Sequence, residues 1–338
     1  GTLLAYELLE ANQKVLIIDK PHPAMASKVA AGLFNPVGVK RCIRSWNADV
    51  FLPFAINRYR ALEEKLGVSF LNLKPIYRLF SNLENRQQWQ VKCSNENMDD
   101  YIGDFEPANS YSYLKDEFGG ASISPAGNLR VNILLEASRE FFQAQQMLLS
   151  EEFDFDQLDV EEGTYKEIAT KKIIFCEGFR AIKNPFFNWL PFAPTKGEVI
   201  TIRIPEVEQM DKIISKGVFV MSLGNHLYLV GATFNRDDWD DVVTAQGIAS
   251  LHEKLEEILA IDYEIVSSKA GVRPTVRDRK PLLGTHPKHP KLAIFNGLGT
   301  RGVIQGPRLS ADFSDFLTQR KKIVQDTDIQ RYVRFFDA

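Results

Sequence analysis

Apolar positions recur along the chain with two periods, and each period predicts its own kind of element. Near the start, Leu4, Leu8 and Ala11 follow an i, i+4, i+7 spacing, which places residues 2–10 on a helix with one buried face. A turn at Asn12 and Gln13 leads into the apolar run 15–18, a strand that ends on Asp19. Phe51, Ala55, Tyr59, Leu62 and Leu66 form one stripe of a helix over 49–66, and Gly67 stops it. Residues 75–80 read as a strand, 84–104 as a polar surface excursion, and 123–142 as a turn followed by a helix. Residues 197–204 and 226–233 run or alternate in apolar character, as strands of a second sheet do. Another amphipathic helix covers 244–260, with Ile248, Leu251, Leu255 and Ile258 facing inward. A last helix begins near Gly302 and carries Leu309, Phe313, Phe316 and Leu317.

Three short apolar runs, 15–18, 172–176 and 292–295, have the character of parallel strands yet lie far apart in sequence. The stretches between them look like a separate antiparallel sheet with its own helices. This order predicts an α/β (α+β) fold. Discontinuous segments 1–48, 125–194 and 270–338 form a nucleotide-binding domain, and a substrate domain, 49–124 and 195–269, is inserted twice. A chain of 338 residues can bury a core large enough for both.

Charge and composition remove some function classes. A net charge of −3 argues weakly against a surface dedicated to nucleic acid, although Lys40, Arg41 and Arg44 make a local basic cluster. No run reaches the roughly 18 apolar residues of a membrane span, and no signal peptide is visible. Cys42, Cys93 and Cys176 are odd in number and widely spaced, which reads as reduced thiols of a cytoplasmic protein and not as a disulfide framework or a zinc site.

Four glycine-bearing segments carry the candidate chemistry. Gly1 opens the first helix and Asp19 follows 18 residues later. That spacing is the back half of a dinucleotide-binding unit, in which a G-x-G-x-x-G turn opens the helix and an acid about 20 residues on holds a ribose hydroxyl. Gly1 then reads as the third glycine, with the first strand and first two glycines absent from the sequence. A plain packing turn is the alternative. In ASKVAAGLFNP, the small residues Ala30, Ala31 and Gly32 permit close backbone approach to a planar or phosphorylated ligand, and Ser27 offers a hydroxyl; a tight surface loop is the simpler reading. In AGVRPTVRDRKPLLG, Arg273 stands between a glycine pair and a proline, and a guanidinium on so stiff a backbone suits a carboxylate. A salt bridge to a nearby acid such as Asp278 is the alternative, and it is the expected role of Arg277 and Arg279. In FNGLGTRGVIQGP, a strand breaks at Gly297, Gly299 and Gly302 before entering a helix, exposing N–H groups and the positive end of a dipole around Arg301. Among weaker candidates, Lys196 suits a flavin or substrate contact or a salt bridge to Glu198 or another acid, and Tyr228 suits the core, with a place facing the substrate as the alternative. His286 and His289 occupy a proline-rich turn, and no metal set is expected.

Together these motifs resemble the D-amino-acid oxidase and glycine oxidase superfamily of FAD-dependent oxidoreductases, over nearly the whole chain and in the same order. GLFNP and GTRGV are similar to the oxidase half of bifunctional enzymes that make 5-methylaminomethyl-2-thiouridine in tRNA. The resemblance implies a Rossmann-like FAD-binding domain, an antiparallel-sheet substrate domain and non-covalent FAD. It implies that Asp19 binds the adenosine ribose, that Gly1 belongs to the pyrophosphate turn, and that Ser27, Ala31 and Gly32 line the pyrophosphate and flavin. Gly178 would pass near the adenine side. Gly297, Gly299, Thr300, Arg301, Gly302 and Val303 would cradle the flavin's pyrimidine end, and Arg273 would hold the substrate carboxylate. The implied activity is oxidation of a C–N bond in a small amine or amino acid, with Arg273 and Arg301 at the reacting end. A tRNA wobble-uridine carboxymethylaminomethyl oxidase and a non-catalytic nucleotide-binding protein are the alternatives.

Overall fold

The computed structural model describes residues 1–20, 25–96 and 98–336. Its helices are α1 (Thr2–Glu10), α2 (Ala26–Val29), α3 (Ala48–Leu66), α4 (Leu83–Asn95), α5 (Val131–Ala144), α6 (Ala245–Glu256) and α7 (Gly302–Leu317). The runs 197–204 and 226–233, read as strands of a second sheet, belong to one large sheet of eight strands. In spatial order these are Glu264–Arg273, Thr195–Arg203, Leu227–Gly231, Val218–Gly224, Ile213–Lys216, Ile76–Leu79, Gly120–Ile123 and Ile102–Glu106. Neighbours are antiparallel except at one joint, where Ile213–Lys216 runs parallel to Ile76–Leu79. The sheet is therefore mixed, and stretches 49–124 and 195–269 both supply strands to it.

Side chains alternate between its faces, as the period of a strand requires. Tyr77, Ile214 and Val220 join the core under α6, with Leu251, Leu255 and Ile258. Ile76, Ile213 and Met221 point the other way and pack with Trp89 and Cys93 of α4. Helix α4 lies where a polar excursion was expected. Asn82 caps it by accepting a hydrogen bond from the Asn85 N–H, and only Trp89 and Cys93 are buried. Its polar residues face solvent, so composition alone concealed it.

The candidate parallel strands do not join one ladder. Ile173–Phe175 pairs parallel with Leu292–Ile294, and Leu282–Thr285 completes that three-stranded sheet. Ile17–Ile18 instead pairs with Leu148–Leu149. The chain leaves α5 through a left-handed turn at Gln146, which brings Leu148 alongside. Helices α1 and α7 pack with Leu4, Phe295, Ile304, Leu309 and Phe313 in one core, which Phe51 and Leu52 of α3 complete.

Candidate active site

The two parallel strands deliver the predicted glycines to one end of the sheet. Ile173–Phe175 continues through Cys176 and Glu177 to Gly178, which has φ +61 and open space where a side chain would project. Leu292–Asn296 ends beside it, and the Asn296 Nδ2 donates to the Gly178 carbonyl at 2.9 Å. A side chain at Gly297 (φ +74) would meet Val276 at 2.8 Å, so the bend there requires glycine. One 3-10 turn, Gly299–Arg301, then leads into α7. Gly1 reaches the same place, because a Cβ on it would lie 3.4 Å from the Cys176 Cβ.

Two helix starts, α1 and α7, thus flank the carboxyl ends of a parallel pair, where α/β sheets bind dinucleotides. Neither helix has a side-chain cap or an acidic residue in its first turn. Their leading N–H groups and dipoles suit an anion. Gly178 adds an open left-handed backbone at the same sheet end, and the group fits a dinucleotide.

Arg273 ends the edge strand of the large sheet, opposite Thr195. Its guanidinium lies over Gly197, where a Cβ would come within 2.0 Å of Nη2. Nη1 donates to the carbonyls of Lys196 and Thr233, each at 3.3 Å. Burial lowers its pKa, and no acidic group opposes that shift. The segment also touches the glycine bend. A Cβ at Gly299 would lie 3.1 Å from Thr275 Cγ2, and Gly297 faces Val276. The bend at 297–302 therefore meets residues 275 and 276, two and three positions past Arg273.

The remaining predicted residues divide. The Asp19 carboxylate accepts from Arg139 Nη1 at 2.7 Å, so an arginine already holds it at the strand end. Ser27 is exposed on α2, which lies against Gly271 next to the Arg273 strand. Ala31 is half-buried. Gly32 (φ +67) is packed so tightly that a Cβ would lie 1.9 Å from the Leu129 carbonyl oxygen; its missing side chain accommodates this chain's own backbone. Thr300 and Arg301 are exposed, while Val303 is half-buried. The Arg301 guanidinium nevertheless loses enough water, and lies near enough to Arg279, for its pKa to fall.

Two expected pairings, of Arg277 and of Arg279, are corrected. Asp278 accepts from Arg331 Nε at 3.1 Å, and no ion pair joins it to Arg277 or Arg279 among the described residues. Arg331 arrives from the far end of the chain, which local spacing could not reveal. Lys196 makes the expected salt bridge with other acids, Asp238 and Asp240, and not with Glu198. Glu198 instead accepts from Thr244 N and Oγ1 at the start of α6. Tyr228 is buried in the core, as expected, with its hydroxyl on the Val207 carbonyl. Two solvent-open hollows, one lined by residues 156–168 and one by residues around Tyr113 and Glu208, contain none of the residues at the strand ends.

Comparison with known proteins agrees with this geometry. A family model described as FAD dependent oxidoreductase (DAO) matches residues 1–314. The glycine oxidase of Geobacillus kaustophilus (strain HTA426) is 29% identical over 174 residues, covering 50% of this chain and 45% of that protein. The tRNA 5-methylaminomethyl-2-thiouridine biosynthesis bifunctional protein MnmC of Shewanella amazonensis (strain ATCC BAA-1098 / SB2B) is 25% identical over 266 residues, covering 64% of this chain and 39% of that protein. Both are matched over less than half of their own length. The crystal structure of glycine oxidase from Geobacillus kaustophilus has the same fold, with a TM-score of 0.79 at 20% identity over 98% of this chain and 94% of that one. No helix among the described residues is long and apolar enough to cross a membrane. A match over nearly the whole length, on a fold that gathers two uncapped helix starts at parallel strand ends, places this chain in the DAO family of FAD-dependent oxidoreductases.

Proposed function

We propose that this flavoprotein oxidises the C–N bond of a small amine or amino acid bearing a carboxylate, of the glycine, sarcosine or D-amino-acid type. The observation that carries the reading is Arg273: a half-buried guanidinium whose hydrogen bonds, among the described residues, go to neutral carbonyls, on the segment that meets the glycine bend. A cation taken from water without a counterion is costly. A substrate carboxylate removes that cost through charge-assisted hydrogen bonds.

Bound FAD supplies the two-electron acceptor. The residues we assign to it are Gly1 near the phosphates, Gly178 on the adenine side, Asp19, paired with Arg139, near the ribose, and Gly297, Gly299, Gly302 and Val303 at the start of α7. The dipole of α7 stabilises negative charge next to its first turn. The Lys196 and Thr233 carbonyls fix the Arg273 fork, and the fork fixes the substrate's direction. The same partial desolvation disfavours a protonated substrate amine and leaves its lone pair free for oxidation.

Anaerobic mixing of the flavin-loaded protein with glycine, sarcosine, proline and D-alanine tests the reading. Bleaching of the flavin band by at least one of them is expected, and none bleaching it would reject the substrate class. A second reading is the same oxidation on the carboxymethylaminomethyl group of a tRNA wobble uridine. It is favoured by Arg277, Arg279 and Arg301, all exposed around the bend. Bleaching by such a tRNA and by none of the free amines would select it.

A further inference from the structure

Helix α7 contains Pro307 five residues into its length. Proline has no N–H, so the carbonyl four residues earlier, that of Val303, loses its regular helical donor. This is the first turn of the helix that faces the glycine bend. A buried carbonyl in that state costs stability unless another donor reaches it. The donor comes from α3, 244 residues away in sequence: the Tyr59 hydroxyl donates to the Val303 carbonyl at 2.7 Å. Tyr59 is only 2% exposed, and burial pushes its phenol upward in pKa, so it stays a donor at all ordinary pH. Its ring is held edge-on against Phe70, with Ala55 and Leu62 of the same helix in the surrounding core.

We propose that Tyr59 is a positioning residue for the cofactor end of α7, its hydroxyl replacing the backbone donor that Pro307 removes. Proline keeps the helix from bonding Val303 internally, and Tyr59 sets where that turn sits relative to α3. The first-turn N–H groups of Gly302 and Val303 are aimed by the same contact. The inference rests on the proposed placement of α7 against FAD, and its hydrogen-bond half stands apart from that placement.

The experiment compares the wild type with Tyr59→Phe, Pro307→Ala and the double variant. Hydrogen exchange at the Gln305 and Gly306 amides is read in the cofactor-free protein, and the FAD dissociation constant is read by flavin fluorescence. Tyr59→Phe removes one ordinary hydrogen bond, so exchange about fivefold faster and FAD binding about fivefold weaker are expected. Pro307→Ala restores an N–H to residue 307, so the double variant returns both readouts to within about twofold of wild type. A role in packing alone predicts no such rescue, because the alanine adds nothing near the lost hydroxyl. Unchanged exchange in Tyr59→Phe, or a double variant no better than the single, overturns the proposal. Faster exchange with unaltered FAD affinity overturns the positioning role. That result is distinct from failure of the proposed function, which shows as wild-type flavin left oxidised by every amine.

Discussion

Lys196, buried, and Arg273, half-buried, are cations on adjacent strands, one residue out of register, and the fold treats them in opposite ways. Lys196 is 1% exposed, and its ammonium meets the carboxylates of Asp238 and Asp240. Among the described residues, Arg273 donates only to the carbonyls of Lys196 and Thr233. One charge is neutralised by the chain that folds around it. The other is oriented but left without an anion. A buried ion with its counterion built in supports structure. One without a counterion is a place for a charged ligand, and Lys196 shows that the loop after the 227–231 strand can supply carboxylates where the fold needs them.

Substitutions at the two positions break or sharpen that contrast. Arg273→Ala has the largest expected effect: substrate KM should rise about 10- to 100-fold, the worth of a charge-assisted pair, with the flavin spectrum unchanged. Its effect on unfolding free energy should be below about 1 kcal/mol, since no ion pair is lost. Arg273→Lys comes next. It keeps the charge but not the planar fork, so KM should rise about tenfold. A lysine variant matching wild type would show that charge alone is read.

Lys196→Met should do the reverse. Stability in urea should fall by about 1–3 kcal/mol, less than for a fully enclosed pair because both carboxylates reach solvent. KM should stay within about threefold of wild type; a larger change in KM than in stability would place Lys196 at the substrate. The smallest effect is in pH. Burial works to lower the Lys196 pKa, but hydrogen bonds to Asp238 and Asp240 outweigh it and the net direction is upward. A group raised on folding contributes fully below its unfolded pKa, about 10.5 for lysine, and loses that contribution as pH rises through the folded value. The stability gap between wild type and Lys196→Met should be constant from about pH 7 to 9 and shrink above about pH 10.5. A gap unchanged at high pH would mean that packing, not charge, supports the site.

The same contrast marks what was legible in the amino-acid order. Periodicity located α3 and its stop at Gly67, which sits at φ +67. It located α6, whose Thr244 cap accepts from the Gly247 N–H. The stiffness around Arg273 was legible because glycine and proline act locally. Its lack of an acidic partner was not, because that depends on where every other carboxylate goes. Asp278 lies close in sequence but is taken by Arg331. Asp238 and Asp240 are taken by Lys196. Gly32 shows the converse: a small residue suggested a ligand, yet the Leu129 backbone occupies the space. The Tyr59–Val303 bond joins residues so distant that only the packed helices reveal it. Ladder partners were equally hidden, since Ile17–Ile18 chose Leu148–Leu149 over the other two apolar runs.

Titration of the flavin-loaded protein with acetate, followed by the visible spectrum of the flavin, tests most directly whether Arg273 receives a carboxylate. A saturable spectral change in wild type and in Lys196→Met, lost or weakened at least tenfold in Arg273→Ala, is the predicted result. Equal acetate affinity in wild type and Arg273→Ala would contradict it.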